Sequence, residues 1–154
     1  QSRTETGPRK VRLVKICEDL VALYNSLVIC RFVFYPAGIS IKTFMGIFKS
    51  VTGWDASPME LLKAGERSFN LTRAFNAREG FTRKDDTLPK RVMEPLPEGV
   101  LKGEAYPPNV LEGMLDLYYD YRGWDRRRGW PKREKLEELG LEWVADDLSR
   151  RGLI

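Results

Sequence analysis

The sequence predicts an all-α domain, on three observations. Apolar residues recur at three- and four-residue spacing in successive stretches, helix start and stop signals frame those stretches, and no alternating strand pattern of useful length competes with them. The chain has 154 residues, 42% of them hydrophobic and 31% charged, which is enough apolar material for one ordinary core without disulfides. The expected architecture is an irregular helical domain over residues 11–154, with about five to six helices and one long ordered loop, behind a flexible tail at 1–10.

The first stretch, 11–28, carries Leu13, Cys17, Leu20, Tyr24 and Leu27 at helical spacing, with Arg12, Lys15, Asp19 and Ser26 on the opposite side. This is the pattern of an amphipathic helix with its apolar stripe inward. The run Ile29-Cys30-Arg31-Phe32-Val33-Phe34-Tyr35 follows. It must stop at Pro36, because proline disfavours helical backbone in the residue before it, and it reads as a buried loop or short extended piece. Ser40 can cap a second helix over 41–51, with Ile41, Phe44, Ile47 and Phe48 inward and Thr52-Gly53-Trp54 turning the chain. Ser57-Pro58-Met59-Glu60 combines a capping serine, a proline at the first helical position and a glutamate three residues after the serine. It opens a third helix over 58–78 that stops at Gly80.

Glu66, Asn70 and Arg73 fall at i, i+4 and i+7 of that helix, so a polar stripe runs beside Leu62, Phe69 and Phe75. Such a stripe is ordinarily a solvated face with weak ion pairs. The alternative is a buried polar network that anchors the next segment and needs every partner satisfied. Either way the role expected is structural, with the stripe tying down the loop that carries Arg78, Arg83, Asp85, Asp86 and Arg91. The loop, 81–106, contains Pro89, Pro95 and Pro97 and no periodicity, yet Phe81, Leu88, Val92, Met93, Leu96, Leu101 and Tyr106 recur along it, the mark of a segment wrapped over a core.

Pro108 opens a helix through Leu111, Met114, Leu115, Tyr118 and Tyr119 that Gly123 ends. Pro131 and Gly140 bracket another over 132–139, and 141–150 makes a last one ended by Gly152.

Chemistry is bounded by what is missing. With no histidine in the chain, no histidine base, triad or metal ligand can exist here. Two cysteines make no disulfide framework, and Cys17 and Cys30 suit a reduced cytoplasmic setting better than a secreted one. The longest apolar stretch, 20–35, is broken by Asn25, Ser26 and Arg31 and does not read as a membrane span. Arg122, Arg126, Arg127, Arg128, Lys132 and Arg133 cluster near Tyr121, Trp124 and Trp130, but Glu134, Glu137 and Glu138 follow at once and the net charge is only +4. Nucleic acid is therefore not an expected partner. The start without methionine, Gln1-Ser2-Arg3-Thr4, reads as a fragment.

One stretch is specific. Residues 66–91 read Glu-Arg-Ser-Phe-Asn-Leu-Thr-Arg-Ala-Phe-Asn-Ala-Arg-Glu-Gly-Phe-Thr-Arg-Lys-Asp-Asp-Thr-Leu-Pro-Lys-Arg, which resembles the C-terminal region of the aldehyde ferredoxin oxidoreductase family. The resemblance continues in Glu94-Pro95-Leu96, Lys102-Gly103, Met114-Leu115-Asp116, Tyr118-Tyr119, Arg122-Gly123-Trp124-Asp125 and the leucines of 135–141, and upstream in Thr52-Gly53-Trp54.

The resemblance implies an oxygen-sensitive cytoplasmic enzyme of archaea or anaerobic bacteria, several times this length. In such enzymes tungsten is held by two pterin dithiolenes beside a [4Fe-4S] cluster, aldehydes are oxidised to carboxylic acids, and ferredoxin takes the electrons. The partners implied are the remaining domains of the same enzyme or a homo-oligomer partner, and ferredoxin in the complete enzyme. The chain looks like most of the last domain, silent in catalysis by itself; the alternative is a non-catalytic helical interaction module or the remnant of a decayed gene. The family's D-x-x-G-[LI]-C motif, which supplies the fourth cluster cysteine and touches a pterin, falls on Asn25-Ser26-Leu27-Val28-Ile29-Cys30. The resemblance thus marks Asn25, Ile29 and Cys30 as cofactor-binding and Cys30 as the metal ligand. Asn25 replaces the aspartate and keeps a carbonyl acceptor without its charge. Val28 replaces the glycine, whose backbone freedom a β-branched residue lacks. Cys30 is expected to face the cofactor cavity and to be accessible to a thiol reagent. Cys17 has no counterpart in the motif and reads as a small buried hydrophobe.

Overall fold

The computed structural model describes residues 5–33, 38–105 and 107–154. Seven α-helices and two single 3₁₀ turns are found among them: α1 (Pro8–Ser26), α2 (Ile41–Thr52), α3 (Pro58–Arg78), α4 (Lys90–Met93), α5 (Pro108–Arg122), α6 (Arg133–Glu138) and α7 (Glu142–Arg150), with the turns at Arg31–Val33 and Arg83–Asp85. The described residues contain no strand, only an isolated bridge between Trp124 and Pro131. The all-α expectation holds, with the four-residue α4 as an addition inside the long loop. Phe34, Tyr35, Tyr106 and the first four residues of the tail lie outside the described residues. The remainder of that tail is helical from Pro8 onward, because proline at the first helical position suits a helix start.

The spine is α3. Its start is locked by the capping box: the Ser57 hydroxyl accepts from the Glu60 N–H at 3.2 Å, and the Glu60 carboxylate accepts from the Ser57 N–H at 2.7 Å. Its first half packs with the end of α1 and with α2 in a cluster of Leu23, Phe44, Phe48, Ala56 and Leu61. Its second half contributes Ala74 to a cluster with Leu136, Leu139, Leu141, Val144, Ala145 and Leu148 of the α6–α7 hairpin. Between the two, α1 packs along α3 and α5 packs on α1, beside an aromatic centre of Tyr119 and Trp124, stacked with centroids 6.0 Å apart. Helices α1 and α3 come so close at Gly65 that any Cβ there would run into the Asp19 carbonyl, which is why glycine interrupts an otherwise good helical sequence.

Three expectations are corrected. In α2 only Phe44 and Phe48 are buried, while Ile41 and Ile47 are about half exposed, because the cluster beneath is narrow and takes one edge of the helix. Of the described part of the segment after α1 only Ile29 packs inward; Cys30, Arg31, Phe32 and Val33 are exposed, Phe32 at 72%. The loop is wrapped over the core only in places: Leu88, Met93 and Leu101 are half-buried, whereas Phe81, Val92, Leu96 and Val100 are exposed.

The largest departure is the first half of α1, where Lys15 and Asp19 turn inward; in its second half Tyr24 and Leu27 pack on the core as expected. Val11, Asp19 and Leu23 are its buried residues, with Lys15 half-buried beside them, while Leu13, Ile16 and Cys17 are exposed. The polar side faces inward because it meets charges there. Lys15 bonds Asp19 at 2.8 Å and Glu66 at 3.0 Å, and Asp19 pairs with Arg122. Cys17 is therefore not the protected thiol that its helix position suggested.

Candidate functional site

The end of α1 is built by local backbone chemistry. The Val28 N–H donates to the Asn25 carbonyl and the Ile29 N–H to the Tyr24 carbonyl, both at 3.0 Å, the paired bonds of a Schellman turn, which wants a left-handed residue after the cap. That residue is Val28, at φ +57°. This is the position where the resemblance would put a glycine, and its backbone has the conformation that glycine favours. The turn divides the motif. Ile29 folds back against the Leu23–Phe44–Leu61 cluster, whereas Asn25 and Cys30 are exposed. Of the three residues marked by the resemblance, the structure thus brings Asn25 and Cys30 to the surface at one helix end and turns Ile29 inward.

A left-handed β-branched residue costs about 1–2 kcal/mol. Val28 is 93% exposed and gains nothing from packing. Val28→Gly is expected to stabilise the domain by about 0.5–1 kcal/mol after the extra chain entropy of glycine is counted. A thermal melt beside Val28→Ala checks this, and a lower Tm for the glycine variant would contradict the strained turn.

From this turn a groove of about 660 Å³ runs back along α1, between Leu13, Cys17, Val21 and Asn25 on one wall and Ser68, Phe69 and Thr72 of α3 on the other, with Arg31 at its end. A second cavity of about 420 Å³ adjoins it, lined mainly by Val14, Phe69, Leu111, Met114 and Leu115.

Beneath both lies the polar network on which the stripe of α3 converges. Glu66, Asn70 and Arg73 are buried, so the solvated-face reading is wrong for all three. Each reaches a different element. The Glu66 carboxylate accepts from Lys15 of α1, with Lys135 of α6 at 3.4 Å. The Asn70 carbonyl accepts from the Trp124 indole N–H at 2.7 Å, and its amide donates to the Glu66 carbonyl at 2.9 Å. Arg73 alone ties down the loop: its guanidinium holds Asp86 through two bonds of 2.8 and 2.5 Å and donates to the Gly129 carbonyl at 2.7 Å. Arg83 completes the loop's attachment through Glu112 and Asp116 of α5, while Arg91 is exposed. Arg122, Trp124 and Trp130 of the basic–aromatic cluster are buried, whereas Arg126, Arg127, Arg128 and Lys132 stay exposed, with Arg126 paired to Asp120.

The Arg122–Asp19–Glu18 set escaped the sequence reading because it joins residues about a hundred positions apart; the only signal was Arg122-Gly123-Trp124-Asp125 inside the family resemblance. Burial raises the Tyr118 and Tyr119 hydroxyls well above ordinary phenols, and the neighbouring Glu18 and Asp86 carboxylates add to it. Both phenols stay protonated and act as hydrogen-bond donors. Burial alone would raise the Glu66 carboxyl, but the hydrogen bond and charge of Lys15, with Lys135 and Lys63, outweigh it and hold the group below the usual range. Hydrogen bonds from Lys135 and Lys63 take Glu138 down to about 2. Folded-state values below the unfolded glutamate value of about 4.3 stabilise above that pH. Stability is expected to be flat near neutrality and to fall from about pH 4.5 downward. Urea unfolding at stepped pH checks this, and Glu66→Gln should flatten the acid limb.

No helix among the described residues is long and apolar enough to cross a membrane. No group of three or more Cys, Asp or Glu side chains among them could hold a metal ion.

Comparison with known proteins gives this arrangement its context. The family described as "Aldehyde ferredoxin oxidoreductase, domains 2 & 3" matches residues 1–141. The tungsten-containing aldehyde ferredoxin oxidoreductase of Pyrococcus abyssi is 41% identical over 140 residues, 90% of this chain and 22% of the relative. An aliphatic sulfonate oxidoreductase, WOR-like subunit, of Pyrococcus furiosus is 36% identical over 86% of this chain and 22% of its own length. Among solved structures, the active-site complex BamBC of benzoyl coenzyme A reductase with 1,5-dienoyl-CoA superposes with a TM-score of 0.61 at 29% identity, over 75% of this chain and 16% of that one. The chain spans about a fifth of the length of the curated relatives it matches. By the length and continuity of these matches, the chain belongs to the aldehyde ferredoxin oxidoreductase family, in its C-terminal part.

Proposed function

We propose that this chain serves a cytoplasmic tungsten–pterin, iron–sulfur oxidoreductase that converts aldehydes to carboxylic acids, as the part that closes the cofactor chamber from one side and donates the thiolate of Cys30 to a [4Fe-4S] cluster. The observation that carries the reading is the α1 terminus. Val28, where the resemblance places a glycine, is left-handed, and Cys30 beyond it is exposed. The residues present fit one edge of a shared site. A cluster of this type takes four ligands, and with two cysteines in all this chain can supply only part of them. The other thiolates must come from the larger share of the enzyme.

The cofactors, when bound, supply the two-electron oxidation and the one-electron path to ferredoxin. What this chain contributes is placement. The Schellman turn fixes the direction of Cys30, and the packed Ile29 prevents the segment from sliding. The amide of Asn25 can donate to or accept from a pterin edge. The buried network holds α1, α3 and α5 in one frame, so the thiolate stands on a rigid element. Neutral, high-pKa Tyr118 and Tyr119 move no proton at physiological pH. The similarity to proteins named for an aldehyde, a sulfonate and a coenzyme A ester supports a scaffold role that leaves substrate choice to other parts of the enzyme.

The test is an enzyme in which this chain replaces the matching stretch of the Pyrococcus abyssi relative, prepared anaerobically with tungstate. It should carry about four irons per chain and show a cluster resonance, and Cys30→Ala should lose both. Full iron in Cys30→Ala would overturn the ligand assignment. The purified chain by itself should hold neither iron nor tungsten in stoichiometric amount.

A further inference from the structure

The turn between α5 and α6 carries three consecutive arginines on a fixed base. The Asp125 N–H donates to the Trp130 carbonyl at 2.8 Å and the Gly129 N–H to the Asp125 carbonyl at 2.7 Å. Arg83 grips the same turn from the loop: its guanidinium donates to the Arg126 carbonyl at 2.8 Å and its N–H to the Arg128 carbonyl at 2.9 Å. The three arginine side chains meet different fates. Arg126 returns to Asp120. Arg128 lies over the Trp130 ring, 5.1 Å from its centre, and donates to the Leu153 carbonyl at 2.7 Å. Arg127, and Lys132 beyond the turn, are exposed and make no ion pair among the described residues.

These cations border a concavity of about 650 Å³ with an apolar wall of Pro131, Leu153 and Ile154. Its other charges are largely spent. Arg133 is held by Glu137 and Asp146, and the Asp125 carboxylate accepts from the N–H groups of Arg127 and Arg128 at 3.1 and 2.7 Å. What remains is unmet positive charge beside apolar surface on a rigid turn.

We propose that this pocket is the docking site for a short acidic segment of a partner protein, with carboxylates on Arg127 and Lys132 and an apolar side chain on the Leu153–Ile154 wall. Charge complementarity selects an anion, and the donors select its kind. A phosphate group is held by backbone N–H groups and guanidinium forks that converge on one point, but the N–H groups of the turn are taken by Asp125 and the Arg128 fork is partly used by Leu153. A nucleic acid brings a continuous line of charge, and the exposed Glu134, Glu137 and Glu138 of α6 follow the cations at once. Carboxylates spaced along a peptide, with an apolar residue among them, match both the cations and the wall. The family match ends at residue 141, so Leu153 and Ile154 lie outside it, and the site is independent of Cys30 and of the cofactors.

Fluorescence anisotropy of the purified chain with a labelled peptide of about eight residues, glutamates flanking two leucines, tests this. The peptide should bind, and its affinity should fall at least about tenfold between about 50 and about 300 mM salt. Arg127→Glu/Lys132→Glu should weaken binding at least about tenfold and leave Tm within error, because the fold uses neither side chain. Glu134→Gln should tighten it. Replacing the two leucines of the peptide by serine should cost at least about fivefold, the signature of the apolar wall. The proposal is overturned if the peptide does not bind, if the double reversal leaves its affinity unchanged, or if the serine peptide binds equally well. Tighter binding of inorganic triphosphate or of a short DNA duplex overturns it too, and makes the occupant a phosphate-bearing ligand or a nucleic acid.

Discussion

Arg122→Met is expected to destabilise the domain by about 3–5 kcal/mol, the cost of leaving buried charges without their partner, and to lower Tm by roughly 6–20 °C at this chain length. The Arg122 side chain is fully buried. Its guanidinium pairs with Asp19, donates to Glu18 at 2.7 Å and to the Tyr118 hydroxyl at 3.1 Å, and lies 4.0 Å from the centre of the Phe69 ring. Burial works against its charge, and the facing oxygens of Tyr118, Asp19 and Glu18 outweigh it, so it holds its proton more firmly than a free arginine. Methionine fills most of the volume but leaves Asp19 with Lys15 alone. Removing the second charge as well should recover part of the loss, because an apolar pair of matched volume avoids the desolvation that makes the lone carboxylate costly. Thermal and urea unfolding of Arg122→Met and of Arg122→Met/Asp19→Leu test both steps. A single variant within 1 kcal/mol of the parent by roughly the usual surface standard, or a double variant worse than the single, would show that the set is not the clamp between α1 and α5.

Much of the fold was legible because its signals are local. Ser57, Pro58 and Glu60 mark the start of α3 to the residue, and Gly53 and Gly123 sit in left-handed caps where helices α2 and α5 end. Orientation was not legible in the same way. Periodicity says that α1 has an apolar side, but which side faces in depends on what the rest of the chain offers, and Arg122 and Glu66 offer charges. The polar stripe of α3 fails for the same reason: local spacing cannot show that Trp124, Gly129 and Asp86, far along the chain, turn their partners toward it. At the site, Cys30 is exposed, as the resemblance led one to expect. The resemblance could not show that Ile29 packs inward, since a turn with Val28 left-handed rotates one residue out and the next one in.

Asp86→Ala should cost about 2–4 kcal/mol, through the loss of a charge-assisted bidentate pair and the unmet donors left behind. The Asp86 carboxylate accepts two bonds from Arg73 and one from the Tyr119 hydroxyl at 2.5 Å, so it is the point where the loop meets α3 and α5 together. The site has no slack. A Cβ on Gly129 would come within 2.6 Å of the Arg73 guanidinium and 3.2 Å of the Asp86 carboxylate, and Arg73 also stacks 4.9 Å from the Trp124 ring centre. Without the carboxylate, Arg73 keeps only the Gly129 carbonyl and the indole face, and the loop from Phe81 to Leu88 loses its inner anchor while Arg83 still holds its outer one. Asp86→Asn preserves the shape and one acceptor and should cost about half as much. Limited proteolysis should cut alanine-variant chains first within 81–89, before any site in α3. Unchanged melting of Asp86→Ala would mean that the pair is solvated in practice, and that Arg83 alone fastens the loop to the helices.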